Sequence, residues 1–91
     1  MTVDELVEKL SSGELKPKEA ARQITATDDF KQNEDKKLRE MFQLAREILH
    51  YEEQLTSAPT SQWQASFHFE MMQSEKALTR IAKQLVKKRA S

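Results

Sequence analysis

Carboxylates and histidines are the residues of this sequence whose types and spacing come closest to a metal site. Glu47 and His50 have the Glu-x-x-His spacing with which di-iron bundle proteins place two ligands on one helix. At about 100° per residue, both side chains point roughly 140–160° away from the apolar side of their own helix. We therefore predict a solvated polar face at these positions and no bound metal.

Other catalytic arrangements have little support in the sequence. His68 lies between two phenylalanines and shares no helical face with His50. The chain has no cysteine and a single glycine, so it offers no thiol nucleophile, no thiolate metal site and no glycine-rich phosphate loop. The spacing supports no Ser-His-Asp arrangement. We predict that the protein is not an enzyme and binds no cofactor.

The last third of the chain carries two lines of side chains if it is helical. One line has steps of three and four residues and predicts a face buried in the core. Its members are Trp63, Phe67, Met71, Ser74, Leu78, Ile81 and Leu85. The other line is apolar at its start and basic at its end. Its members are Ala65, Phe69, Met72, Lys76, Arg80, Lys83 and Lys87.

The second line is the surface that we expect to bind a partner, because a phenylalanine and a methionine on the outside of a helix are typical of an interface. The predicted function is a protein–protein interaction module, such as an adaptor, an inhibitor or a regulatory subunit, whose partner has an acidic or apolar surface. A small chain with such residues exposed can also pair with itself, so we expect a homodimer through the last helix. The predicted partner-binding residues are Phe69, Met72, Lys76, Arg80, Lys83 and Lys87.

Three alternatives to a protein partner remain for this surface. Nucleic acid could bind the basic end of the last helix, and a membrane-surface helix is a further alternative. The basic residues could also form a solvated face that complements the negative end of the helix dipole and nearby acids of the preceding helix.

Helices must position all of these residues, and their ends are marked in the sequence. Thr2 and Glu5 have the spacing of a capping box, and Gly13 suits the left-handed residue that ends a helix. Pro17 suits the first position of a second helix, and Pro59 lies in the clearest loop. The predicted helices span residues 3–11, 17–25, 31–56 and 61–89.

The composition predicts a single all-α domain. One glycine and two prolines in 91 residues leave little material for the tight turns of a sheet protein, and helix-favouring residues dominate. Because a short loop joins the last two predicted helices, they should run antiparallel. We predict a small helical bundle in which two short N-terminal helices pack on a long antiparallel C-terminal helical hairpin.

The balanced net charge conceals an asymmetry along the chain. Residues 1–75 hold all 15 acids and 9 of the 15 bases, a net charge of −6, whereas residues 76–91 hold the other 6 bases, a net charge of +6. This distribution argues against a uniform polyanion binder and allows a local basic site. No apolar stretch approaches the roughly 18 residues of a transmembrane segment, and no signal peptide is visible, so we expect a cytoplasmic protein.

One segment resembles a known class of DNA-binding proteins. Pro17-Lys18-Glu19-Ala20-Ala21-Arg22-Gln23-Ile24 looks like the first helix of some helix-turn-helix proteins, in which a Glu-Ala-Ala stretch packs beneath the recognition helix. The resemblance implies DNA binding by the segment that follows. That segment carries Asp28, Asp29, Glu34 and Asp35, whose charges would repel phosphates. The acids therefore argue against this mode of DNA binding.

Overall fold

The computed structural model describes residues 2–57 and 59–90, so Ala58 of the predicted loop lies outside the described residues. Within those ranges the chain forms α-helices and no strand, which confirms the prediction of an all-α protein. The helices are α1 (Val3–Ser12), α2 (Pro17–Thr25), α3 (Asp28–Lys31), α4 (Lys36–Ser57) and α5 (Ser61–Ala90). None of these helices has the length and apolar composition needed to cross a membrane.

The predicted signals at the ends of α1 and α2 are confirmed. The Thr2 hydroxyl accepts a hydrogen bond from the backbone N–H of Glu5 at 3.2 Å, which satisfies one unpaired donor of the first turn. Gly13 ends α1 with φ of 84°, in the left-handed region that residues with a side chain rarely adopt. Pro17 occupies the first turn of α2, where its missing N–H leaves no hydrogen bond unmade.

The predicted third helix, 31–56, is wrong at its start. The chain first forms the single turn of α3 and then breaks before α4 begins at Lys36. The Asn33 side chain accepts a hydrogen bond from the N–H of Asp35, and the Asp35 carboxylate accepts one from the N–H of Lys37, each at 2.9 Å. These short polar side chains replace the helical hydrogen bonds that a continuous helix would make. Asp35 is therefore the N-cap of α4.

The last helix begins one residue after its cap. The Thr60 hydroxyl accepts a hydrogen bond from the N–H of Trp63 at 3.3 Å, so Thr60 is the N-cap. α5 is 30 residues long. At about 1.5 Å per residue it spans roughly 45 Å, which matches the longest dimension of the molecule, 46 Å.

Two side-chain hydrogen bonds join α4 and α5 at different levels along their length. The Lys37 ammonium donates a hydrogen bond to Gln84 at 3.0 Å, and the Ser74 hydroxyl donates one to Glu47 at 3.3 Å. The early part of α4 thus faces the late part of α5, and the middle parts face each other.

The shorter helices pack against α4 and α5. α1 contacts α5, and the Arg89 guanidinium lies 2.9 Å from the Asp4 carboxylate. α2 contacts α4, and Arg22 contacts Glu52 at 2.8 Å. Arg22 also pairs with Glu19 on its own helix. The basic end of α5 therefore contacts an acid of α1.

Every described helix contributes to one apolar core. The buried apolar residues are Leu6, Val7, Leu10, Ala20, Ala21, Ile24, Phe30, Leu38, Met41, Phe42, Ala45, Ile48, Met71, Leu78, Ala82 and Leu85. Phe30 is not among the predicted core residues, yet it is fully buried although α3 is a single turn. Because burying a phenylalanine side chain removes a large apolar area from water, this residue alone can fasten α3 to the rest of the core.

The core does not extend to the start of α5. The predicted core face is buried at Met71, Ser74, Leu78 and Leu85, and Ile81 is half-buried. Trp63 is wrongly assigned to the core, because 54% of it is exposed. Phe67 is only half-buried, and the other described residues of 61–70 are exposed. The apolar side of α5 thus continues for two turns beyond the part that other helices cover.

Candidate interaction site

The partner-binding residues predicted on α5 all lie on its exposed side. Phe69 is 57% exposed and Met72 is 37% exposed. The basic line, defined here as Lys76, Arg80, Lys83 and Lys87, is exposed throughout. The buried residues of the same helix lie on the opposite side, so the period of the helix alone separates the two surfaces.

Met72 and the basic line border one open groove, which we call the α5 groove. Pro17, from the start of α2, also lines the groove, so the groove lies between two helices. The other lining residues are Glu75, Thr79 and Gln84. The structure therefore brings five of the six predicted residues into one groove, whereas Phe69 is not among its lining residues.

The positive charge of the groove is not neutralised by the part of the chain that the structure describes. None of the described residues forms an ion pair or hydrogen bond with a side chain of the basic line. Glu75 is the acid among the lining residues. Four like charges spaced by three and four residues repel one another by a few tenths of a kcal/mol per neighbouring pair. An anionic group in the groove would relieve this repulsion.

The groove also has apolar surface between its charges. Long basic side chains keep their charged ends in water and lay their methylene stems along the protein surface. Met72, the ring of Pro17 and the methyl group of Thr79 add to these stems. The α5 groove therefore combines apolar surface with positive charge.

Part of this groove was visible in the sequence and part was not. Thr79 could have been found, because Met72, Lys76, Thr79 and Lys83 follow one another at steps of four, three and four residues. Pro17 carries no such signal, since its place in the groove depends on how α2 lies against the rest of the molecule.

A second exposed feature lies at the start of α5, on the side that the helical period predicts to be core. We call Tyr51, Trp63 and Phe67 the aromatic cluster. The ring centroids of Trp63 and Phe67 are 5.8 Å apart in a stacked arrangement, and those of Phe67 and Tyr51 are 6.3 Å apart. The ring centroids of His50 and Tyr51 are 5.7 Å apart in a T-shaped arrangement. The cluster joins the end of α4 to the start of α5 and leaves Trp63 exposed.

The residues considered for metal or acid–base chemistry lie apart from both surfaces or on their margin. His50 and His68 are exposed. Glu47 is exposed and accepts the hydrogen bond from Ser74. Among the residues that the structure describes, no group of three or more His, Cys, Asp or Glu side chains could hold a metal ion.

The chain matches no protein-family model, no curated protein and no solved structure. Its function must therefore be inferred from the chemistry of its own side chains. In the part of the chain that the structure describes, the α5 groove and the aromatic cluster offer such chemistry.

Proposed function

We propose that the protein is a non-enzymatic protein–protein interaction module, acting as an adaptor, an inhibitor or a regulatory subunit. In this proposal α1 and α2 pack on an antiparallel α4–α5 hairpin, and the outer side of α5 stays free for a partner. The partner presents an acidic, amphipathic segment to the α5 groove. The observation that carries the proposal is that Met72 and the basic line border the same groove.

The length of the groove supports a helical partner segment. Met72 and Lys87 lie 15 residues apart on α5, which corresponds to roughly 22 Å along the helix axis. A partner helix of about four turns covers that length. Apolar side chains at every third or fourth position would contact Met72 and Thr79, and acids beside them would meet the basic line.

The amino-acid composition is consistent with a cytoplasmic location for such a module. The chain has no cysteine, which suits a protein that works in a reducing compartment. A cytoplasmic location is therefore part of the proposal.

The experiment is a quantitative pull-down with the wild-type protein and two groove variants as baits. Met72→Ser removes apolar contact, and the double variant Arg80→Glu/Lys83→Glu reverses charge. The control double variant Lys36→Glu/Arg46→Glu changes the net charge by the same amount at exposed positions outside the groove. The proposal expects one protein that binds the wild type and the control and is lost from both groove variants. A partner that binds both groove variants as well as the wild type would contradict the proposal.

Nucleic acid is the alternative partner, and the unpaired basic line favours it. A protein that neutralises four phosphates loses affinity with salt along a log–log slope of about −3 to −4. Titration of a fluorescent duplex and a fluorescent single strand at several salt concentrations measures that slope. Binding that has this slope, and whose affinity is unchanged by Met72→Ser, would favour nucleic acid. Binding that depends on Met72 and has a much shallower slope would favour the protein partner.

A further inference from the structure

The chain around the aromatic cluster carries no formal charge. Residues 54–69 contain no Asp, Glu, Lys or Arg, although these residues make up 33% of the whole sequence. The segment includes the end of α4 and the first nine residues of α5. A surface built from it differs from the rest of the molecule, where charged side chains are distributed along every helix.

The aromatic cluster also extends the core face of α5 beyond the part that other helices bury. On a helix with about 100° per residue, Trp63 and Phe67 lie within roughly 60° of the direction of Leu78 and Leu85. Those two leucines are buried by other helices, whereas Trp63 is 54% exposed. Tyr51 and Leu55 of α4 are half-buried at the same end of the molecule. Within the described residues, two helices thus present an apolar face there that is only partly covered.

We propose that a second copy of this chain covers the aromatic cluster and forms a two-fold symmetric homodimer. A two-fold axis places the same surface of each copy against itself, so a charged surface would meet its own charge. The uncharged segment 54–69 can face itself without that repulsion. Two antiparallel helix pairs that meet in this way complete a four-helix bundle, which is a common way to bury such a face.

The proposed dimer interface differs from the surface that the sequence predicted for self-association. Phe69 lies roughly 120–160° around α5 from Trp63 and Phe67. A second copy on the aromatic cluster therefore leaves Phe69 and the α5 groove accessible. The dimer and the binding of a groove partner are independent and can fail independently.

A pair of matched variants tests the proposal by sedimentation velocity over a range of protein concentrations. Trp63 and Phe69 have nearly equal exposure, 54% and 57%, on different sides of the same helix. The proposal expects a dimer for the wild type and for Phe69→Ser, and a monomer for Trp63→Ser. The dimer should persist in roughly 1 M NaCl, where charges more than about 3 Å apart are screened, because the interface contains no ion pairs. A wild type that is still monomeric at several hundred micromolar, on the order of the dissociation constant of a weak dimer, would overturn the proposal. Dissociation by Phe69→Ser alone would overturn it as well.

Two further measurements distinguish loss of the dimer from misfolding and from binding of the aromatic cluster to a membrane. Ser66→Arg keeps every ring and adds a charge beside Trp63, so it should yield a helical monomer; a dimer as tight as the wild type would overturn the proposal. Trp63 is the single tryptophan of the chain, and its emission should shift to the red as the dimer is diluted. A blue shift on adding neutral phosphatidylcholine vesicles to a monomeric wild type would assign the aromatic cluster to a membrane surface and overturn the dimer.

Discussion

The Ser74 hydroxyl of α5 lies 3.3 Å from a carboxylate oxygen of Glu47 on α4. Ser74 is buried, with 7% exposure, whereas Glu47 reaches the surface. The contact therefore joins the covered side of α5 to the exposed edge of α4. It also occupies the carboxylate of the Glu-x-x-His pair with a structural hydrogen bond.

Replacing Ser74 by alanine tests the strength of this hydrogen bond. Its loss should lower the free energy of unfolding by about 0.5–1 kcal/mol, because Glu47 can turn to water instead. Alanine also favours helix over serine by about 0.5 kcal/mol, which offsets part of the loss. Ser66→Ala, at an exposed position of the same helix, measures that gain alone. If urea unfolding gives both variants the same stability, the hydrogen bond contributes nothing.

Leu78→Ala should be among the most destabilising substitutions in the protein. Leu78 is fully buried on α5, and removing such a side chain lowers the free energy of unfolding by about 2–5 kcal/mol. Phe67 is half-buried, so Phe67→Ala should lower it by a smaller amount, about 1–2 kcal/mol. Urea unfolding of both variants at one low protein concentration provides the comparison. A larger loss for Phe67→Ala would place the centre of the core elsewhere on α5.

Gly13 is the position where backbone conformation alone decides the effect of a substitution. Its φ is 84°, and a Cβ atom placed there would meet nothing within 4 Å. Gly13→Ala should therefore lower the free energy of unfolding by about 1 kcal/mol through left-handed strain and not through a clash. Gly13→Asn should lower it less, because asparagine tolerates this conformation better. Equal thermal melts for the alanine variant and the wild type would contradict the prediction.

The double variant Arg80→Glu/Lys83→Glu should keep its fold. Both positions are exposed, and within the described residues neither has an ion-pair partner to lose. The substitutions also create opposite charges at a spacing of four residues with Lys76 and with Lys87, worth a few tenths of a kcal/mol each. Helicity and thermal melts by circular dichroism should match the wild type. A clearly lower melting temperature would mean that the basic line supports the fold.

Features that depend on neighbours along the chain were predicted well. The N-cap at Thr2, the left-handed Gly13 and the start of α2 at Pro17 each follow from the local chemistry of one or two residues. The exposure of Met72 and of the basic line follows from helical period, which the sequence specifies directly. These predictions required no knowledge of how the helices pack.

Features that depend on neighbours in space were not predictable in the same way. The period of α5 correctly puts Trp63 on the apolar side, but it carries no information on where the covering helices stop. The break between α3 and α4 was missed because Asn33 and Asp35 had to compete with helical hydrogen bonds, and only the outcome of that competition fixes the helix start. Pro17 entered the groove for a similar reason, since tertiary packing places it there.

The ion pair between Asp4 and Arg89 brings the first turn of α1 beside the last turn of α5. The helices could therefore pack in the same way if they followed one another in a different order along the chain. A glycine–serine linker could join these two helices, and the backbone could then be opened in the turn between α3 and α4. Such a circular permutant would have the same core and the same α5 groove with a different covalent connectivity.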